Sequence, residues 1–446
     1  MKHLVVAVFF CGLGFTAIEG HAAERPNIVV ILADDLGAEA LGCYGGRTFV
    51  TQEGARLGPV KTPHLDEMAQ EGMLFRWCFA TPVCSPSRAQ LLTGKYSHRI
   101  GFPDIQGRGG AVTQLDPRAH PTVATRLKEA GYATAVVGKW HIGRAGNAKD
   151  TPTSPYRDTA YAHPRDCGFD RQCVFGEPHL RTYGKPIAGE YTPDVLHAWA
   201  LTFIEEQAKQ KRPFFLYYSS PLPHFPYWPT PLNPDGPYTG EGKFGDLYGN
   251  MSNFPFLVEY LDKQVGELVA KIDALGLGEN TLVLFAGDNG TPPWLHTTMA
   301  DGTTIAWGKG TMKDTGSRVP LIARWPGAVA PGSECDGLVD FSDVLPTLLE
   351  LSGVHPPTVD GISFAKVLRQ RAPSSREWVH CSYKGEWFVR DARWKLRENG
   401  DLYDVSASPL TERKASPTAD IDDSRAARTH LEAVAQGLHP ADSGGL

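Results

Sequence analysis

The segment Asn27-Ile28-Val29-Val30-Ile31-Leu32-Ala33 is apolar at every position after the first. A strand with one face in water alternates apolar and polar residues, so an unbroken run marks a strand covered on both faces. The same texture recurs at 133–137, 214–218, 281–285 and 319–323, with helix signals between. Thr62-Pro63 opens a helix to about residue 73. Pro121 starts another, with Val123, Leu127 and Ala130 on one face and Gly131 as its stop. A long helix is expected over 254–275, and one over 343–351 closes on Ser352-Gly353. This alternation predicts an α/β fold over residues 24–355, with a large mostly parallel central sheet flanked by helices. Beyond residue 355 the segments shorten. Residues 378–383, 386–390 and 394–397 look like antiparallel hairpin material and 423–438 like one modest helix. Residues 356–446 are therefore expected to form a small C-terminal α+β subdomain with a loose tail at 441–446.

The first residues read as an export signal: Met1-Lys2-His3, an apolar run over 4–18, then Gly20-His21-Ala22-Ala23. This predicts a signal peptide over 1–23 and a periplasmic or secreted protein. The run is too short to span a bilayer and no later one is longer, so no stable membrane insertion is expected. In 446 residues the formal net charge is −6, which argues against a nucleic-acid surface; an anionic substrate needs a local cluster of cations. Eight cysteines occur. With Cys11 leaving in the signal and Cys84 treated below, Cys43, Cys78, Cys167, Cys173, Cys335 and Cys381 remain, an even set in an oxidising compartment. Cys167 and Cys173 are the nearest local pair; buried free thiols are the alternative.

Four apolar runs lead into chemically capable residues: Asp34-Asp35, then Gly138-Lys139-Trp140-His141, then His224, then Asp288-Asn289-Gly290. In an open α/β sheet ligands bind beyond the carboxyl ends of the strands, so these groups are expected to face one cleft. Asp34, Asp35, Asp288 and Asn289 offer oxygen, which suits a hard cation such as Ca²⁺ or Mg²⁺. Taken singly, an Asp-Asp or Asp-Asn-Gly is more often a turn; their convergence at strand ends favours the metal. Lys139, His141, His224 and Lys309 supply charge and protons for anchoring a tetrahedral anion. Lys309 sits in the flexible Gly308-Lys309-Gly310. Around Cys84 the residues read as a helix start over 85–93, with Ser85 or Cys84 near the cap and Pro86 near the first helical position. A side chain there lies in a natural anion site. A disulfide cysteine and a low-pKa thiolate nucleophile are equally open readings of Cys84.

The segment Cys84-Ser85-Pro86-Ser87-Arg88, continued by Leu91-Leu92-Thr93-Gly94, resembles the Cys-x-Pro-x-Arg signature of the formylglycine-dependent sulfatases, within the alkaline phosphatase superfamily. Gly131-Tyr132-Ala133-Thr134 followed by Val137-Gly138-Lys139-Trp140-His141 resembles their second signature. Residues 31–37 and Gly287-Asp288-Asn289-Gly290 resemble their metal-binding segments, and the likeness runs from about residue 26 to Asp401-Leu402-Tyr403-Asp404. The resemblance implies that a formylglycine-generating or anaerobic sulfatase-maturating enzyme oxidises Cys84 to an aldehyde. One hydroxyl of its hydrate would attack a sulfate ester, and the second would release sulfate. It implies Ca²⁺, with Mg²⁺ as the alternative, held by Asp34, Asp35, Asp288, Asn289 and modified residue 84. Arg88 and Lys139 would orient the hydrate, His141 would take its proton, and His224 and Lys309 would grip the sulfate and protonate the leaving oxygen. The expected substrate is a sulfated carbohydrate or another sulfate ester.

The chain departs from the family at Asp314-Thr315-Gly316, where Glu-Gly-Gly is common, which leaves Lys313 as an alternative to Lys309. Residues 291–307 are also its own; Trp294, His296 and Asp301 there read as a packed surface loop or as the substrate side of the cleft. The rival activities are a phosphomonoester or phosphonate monoester hydrolase of the same superfamily, and a catalytically silent binder of sulfated glycans.

Overall fold

The computed structural model describes residues 25–143, 162–175, 191–238, 249–306, 308–407, 409, 411–415 and 422–439. The expected signal peptide, Cys11 and the tail at 441–446 lie outside these residues.

Asn27–Ala33 is a strand whose every residue is buried. It runs parallel between Phe214–Ser219 and Thr281–Gly287, with Ile28 opposite both Phe215 and Leu282. Successive side chains point to opposite faces of a strand. Here Ile28, Val30 and Leu32 enter one core while Val29, Ile31 and Ala33 enter the other. This two-sided burial is why the run carries no polar residue after Asn27.

The main sheet has eight strands, in the order Ser333–Asp340, Met73–Phe79, Arg318–Arg324, Thr281–Gly287, Asn27–Ala33, Phe214–Ser219, Ala133–Lys139, Arg171–Phe175. Arg318–Arg324 runs against both neighbours, and the other pairings are parallel. A buried apolar run reads alike in either direction, so the sequence could not assign that reversal. The expected helices form as Pro63–Glu71, Val123–Glu129, Phe254–Ala274 and Val344–Leu351. Two boundaries move. Residue 73 begins a strand after the helix stops at Glu71, and Pro121 lies outside its helix, which Thr122 caps by accepting from the Thr125 N–H at 3.2 Å. The helix Thr192–Gln210 was not expected.

Within 291–306, residues 295–306 form a sheet hairpin rather than a surface loop. Leu295–Met299 and Thr304–Ala306 join Gly46–Thr51 and Arg56–Pro59 in a four-stranded sheet. His296 stands in register with Val50, and Asp301 takes the exposed turn by accepting from Thr303. At the C-terminal end a five-stranded antiparallel sheet, Val379–Tyr383 to Arg413–Lys414, packs Trp387, Val389, Leu396 and Leu402 on Leu431 and Ala435 of the helix Asp422–Leu438. It docks on the larger part through rings: His98 lies 5.0 Å from His380 and 4.8 Å from His439.

Cys43, Cys78, Cys84, Cys167, Cys173, Cys335 and Cys381 are all free thiols. The local Cys167–Cys173 pair does not form; Cys173 is committed to a buried strand, and the Cys167 sulfur lies 3.6 Å from His163 Nε2. No helix among the described residues is long and apolar enough to cross a membrane.

Candidate active site

Val83, in extended conformation, precedes the helix Cys84–Thr93, so Cys84 is its first residue rather than its cap. Val83 brings no capping side chain, and the first-turn N–H groups of a helix have no partner within it. Pro86, third in the helix, therefore sacrifices no helical hydrogen bond. Ser87 Oγ fixes the approach by accepting from the Thr81 N–H at 3.0 Å. Gly94 ends the helix at φ 68°, its N–H bonding the Gln90 carbonyl. Every residue of this helix is buried.

Three strand ends meet the Cys84 thiol. The Asp34 N–H donates to the Leu222 carbonyl and the Asp288 N–H to the Ala33 carbonyl, each at 2.9 Å. Asp35, at φ 67° on left-handed backbone, donates its N–H to Asp288 Oδ1 at 3.0 Å. The Cys84 sulfur is then 3.4 Å from Asp34 Oδ1 and 3.8 Å from Asp35 Oδ1. Lys139 Nζ lies 2.6 Å from Asp34 Oδ2, and Lys309 Nζ lies 2.6 Å from Asp35 Oδ2 and 4.0 Å from the Cys84 sulfur. Arg88 contacts Asp288 Oδ2 through Nε at 3.0 Å and through its terminal nitrogen at 2.7 Å. It also donates to the Lys139 carbonyl at 3.2 Å and to Ser219 Oγ, whose hydroxyl bonds that carbonyl at 2.6 Å.

His224 enters between the cis peptides Leu222-Pro223 and Phe225-Pro226 and puts Nε2 3.6 Å from Asp35 Oδ2. Its Nδ1 donates to the Phe225 carbonyl. His141 is buried two residues past Lys139, on left-handed backbone at φ 53°.

The charges are organised against burial. Burial alone raises the Asp34 pKa, but Lys139, His224, Arg88 and Lys309 outweigh it and hold this carboxyl well below the usual range. Asp35 is likewise lowered despite burial, chiefly by Lys309 and then His224. Asp288 goes the other way, to about 6, because burial and then the Asp34 charge prevail over Arg88. Burial pushes His224 down to about 4 against the pull of Asp35 and Asp34. The Cys84 thiol is raised well above its ordinary value by burial and by Asp288. The sulfur is not bridged, so the disulfide reading of Cys84 is not supported here.

Residues 26–354 match the family model Sulfatase, about three-quarters of the chain. The chain belongs to the sulfatase family. Residues 302–407 of this sulfatase also match the model N-sulphoglucosamine sulphohydrolase, C-terminal. Arylsulfatase A of Homo sapiens is 33% identical over 436 residues, covering 89% of this chain and 80% of that protein. N-acetylgalactosamine-6-sulfatase of Rattus norvegicus is 32% identical over 391 residues, covering 78% and 67%. The crystal structure of Ps i-CgsB shares the fold at a TM-score of 0.71 and 24% identity, covering 95% of this chain and 94% of that one. The sulfatase is thus an enzyme that hydrolyses sulfate esters.

The donor set of this sulfatase fits a cation. Donor atoms of Asp34, Asp35, Cys84 and His224 all lie within 4.8 Å of one another. Asn289 donates from Nδ2 to Asp35 Oδ1 and to the Gly290 carbonyl, each at 2.9 Å, while its Oδ1 is buried with no hydrogen-bond partner. A buried acceptor left bare carries a desolvation cost of about 1–3 kcal/mol, which an oxygen-seeking cation would relieve. Asp288, the least compensated of the carboxylates, would gain from the same ion.

The structure brings Cys84, Arg88, Lys139, His224, Lys309, Asp34, Asp35, Asp288 and Asn289 into one buried cluster. Lys313, the sequence alternative to Lys309, instead immediately precedes the short helix Asp314–Ser317. Two supporting residues escaped the sequence reading. Ser219 ends a buried apolar strand, the same signal that marked Asp34 and Lys139, so it could have been found. Glu39 could not: its carboxylate accepts from Thr291 Oγ1 at 2.9 Å, and that hydroxyl accepts from the Gly37 N–H at 3.0 Å, bracing the loop after Asn289 across 252 positions. Trp294 donates to the Tyr227 hydroxyl at 3.1 Å, and its ring lies 6.1 Å from Phe225, next to His224.

Proposed function

We propose that this sulfatase releases inorganic sulfate from sulfated carbohydrates, with residue 84, oxidised from cysteine to formylglycine, as the nucleophile. The observation that carries the reading is the position of Cys84 at a helix N-terminus with Asp34, Asp35 and Lys309 within 3.4 to 4.0 Å of its sulfur. The hydrate of that aldehyde supplies one hydroxyl to attack sulfur and a second whose deprotonation lets sulfate leave and restores the carbonyl. A bound Ca²⁺, or Mg²⁺ in its place, supplies Lewis acidity that sharpens the nucleophile and draws charge from the sulfate oxygens.

The chain's own residues do the rest. Asp34, Asp35, Asp288 and Asn289, with residue 84, would hold the ion. Arg88 fixes Asp288 and the strand end at Lys139, and Lys139 holds Asp34, so residue 84 meets a fixed set of charges rather than mobile ones. His141 takes the proton when sulfate leaves. Lys309 and His224 bind the sulfate oxygens and between them protonate the departing alcohol, the anionic end of the substrate drawing onto His224 the proton that burial removes in the free enzyme. The carbohydrate class is supported by the relatives, one of them an N-acetylgalactosamine-6-sulfatase, and by the match to the model N-sulphoglucosamine sulphohydrolase, C-terminal. We place the catalytic unit at 24–355 and the C-terminal subdomain at 356–446. We further propose export under a signal peptide at 1–23 to the periplasm or exterior. The partner before export is a formylglycine-generating or anaerobic sulfatase-maturating enzyme.

The test is hydrolysis of matched aryl sulfate and aryl phosphate esters by matured protein, before and after chelation. Sulfate should turn over faster, chelation should abolish it, and adding back Ca²⁺ or Mg²⁺ identifies the ion. Faster turnover of the phosphate, or full activity in excess chelator, contradicts the reading.

A further inference from the structure

The departure Asp314-Thr315-Gly316 occupies a station that links the two parts of the chain. A Cβ on Gly290 would lie 1.9 Å from the Thr315 carbonyl oxygen, and one on Gly308 would lie 2.1 Å from the Gly316 nitrogen. The turn is therefore in direct backbone contact with the loop carrying Asn289 and with the loop carrying Lys309. Two hydrogen bonds tie the assembly: Gly290 N–H to the Gly316 carbonyl at 2.9 Å and Lys309 N–H to the Thr291 carbonyl at 3.2 Å.

The turn is gripped from the C-terminal subdomain. Lys395, fully buried, donates to the Met312 carbonyl at 2.7 Å, to Asp314 Oδ1 at 2.9 Å and to Glu412 Oε1 at 2.9 Å. Glu412 Oε1 also accepts from the Asp314 N–H at 2.8 Å, and Arg390 pairs with Asp314 Oδ2. All three ammonium protons of Lys395 are thus used, and its charge lies 4.0 Å from the centre of the Phe388 ring. Burying such a network costs desolvation that an apolar core would avoid, and the best-attested return for that cost is register. The element whose register is set here is the segment 308–316, which begins next to Lys309.

We infer that Lys395 is a positioning residue for Lys309: the C-terminal subdomain, through Asp314 and Met312, sets where the sulfate-binding ammonium stands. This rests on the reading that Lys309 grips the sulfate. The experiment is a double-mutant cycle of Lys395→Met and Lys309→Ala, reading KM for an aryl sulfate, the inhibition constant of inorganic sulfate, and the melting temperature.

Lys395→Met is expected to weaken sulfate inhibition by about 10- to 100-fold, the scale of a misplacement near 1 Å, and to add less than about twofold when Lys309 is already alanine. Equal losses in both backgrounds, or a lower melting temperature with sulfate inhibition intact, overturn it. Glu412→Gln keeps the charge on Lys395 and loosens its grip; it should shift sulfate inhibition the same way by less, with the same dependence on Lys309. That provides the reading if Lys395→Met does not fold, and an unchanged inhibition constant in Glu412→Gln then overturns the inference. Sulfate inhibition untouched by Lys309→Ala removes the role given to Lys309 and this inference with it. A loss in Lys309→Ala with none in Lys395→Met removes the inference alone.

Discussion

Cys84→Ala is expected to cut turnover by at least about 10⁴-fold while the protein stays folded. Cys84 is 2% exposed, and alanine suits the first position of a helix, so the backbone loses nothing. What is lost is one buried sulfur, a cavity penalty of about 1–2 kcal/mol, against a domain whose two cores flank the whole sheet. Cys84→Ser separates the proposed mechanism from a simple alkoxide. A serine hydroxyl could attack sulfur beside Asp34, but it has no second hydroxyl with which to expel the product. A single turnover is therefore expected, with a sulfate group retained on residue 84 and visible as a gain in intact mass. Near-normal steady-state activity in either variant would remove Cys84 from the nucleophile's place.

Arg88→Ala is expected to damage both stability and activity. The Arg88 side chain is fully buried and stands against Asp288 at 2.7 Å and Asp34 at 3.5 Å. Removing one partner of a buried ion pair leaves the other charge uncompensated, at about 3–5 kcal/mol. Asp288 is already the carboxyl that burial and Asp34 push upward, so the loss should fall hardest there. Arg88→Lys should rescue only part, because a point charge cannot reach Asp288, the Lys139 carbonyl and Ser219 together as the guanidinium does. Denaturant unfolding beside turnover checks this. An Arg88→Ala variant that unfolds at the wild-type midpoint would mean that the cluster does not depend on this cation.

Much of this arrangement was legible because burial writes itself plainly in a two-sided sheet. The run at Asn27–Ala33 gave its strand to the residue, and polar residues at the ends of such runs picked out Asp34, Lys139 and Asp288. The edge of the sheet was not legible. Met73–Phe79 carries a half-buried Arg76 and Trp77, and Ser333–Asp340 carries exposed Glu334 and Asp336, so neither reads as an apolar run. The hairpin at Leu295–Met299 is polar at most positions and is held by pairing with Gly46–Thr51, a partner some 250 residues earlier. Separation in sequence likewise hid Glu39 behind Thr291, 252 positions on, and Lys395 behind Asp314, 81 positions back, since these partners are fixed only once the chain is folded. Cys84 changed most: of three readings open in the sequence, the bridged cysteine lost its support to the free, buried, carboxylate-facing position of the sulfur.

The most direct test of the central claim is the mass of the peptide containing residue 84, taken from protein that is actively hydrolysing a sulfate ester. The account predicts a peptide lighter than the cysteine form by the difference between sulfur and oxygen and by two hydrogens, with activity tracking the converted fraction. Full sulfatase turnover from protein whose residue 84 is entirely unmodified cysteine would contradict it.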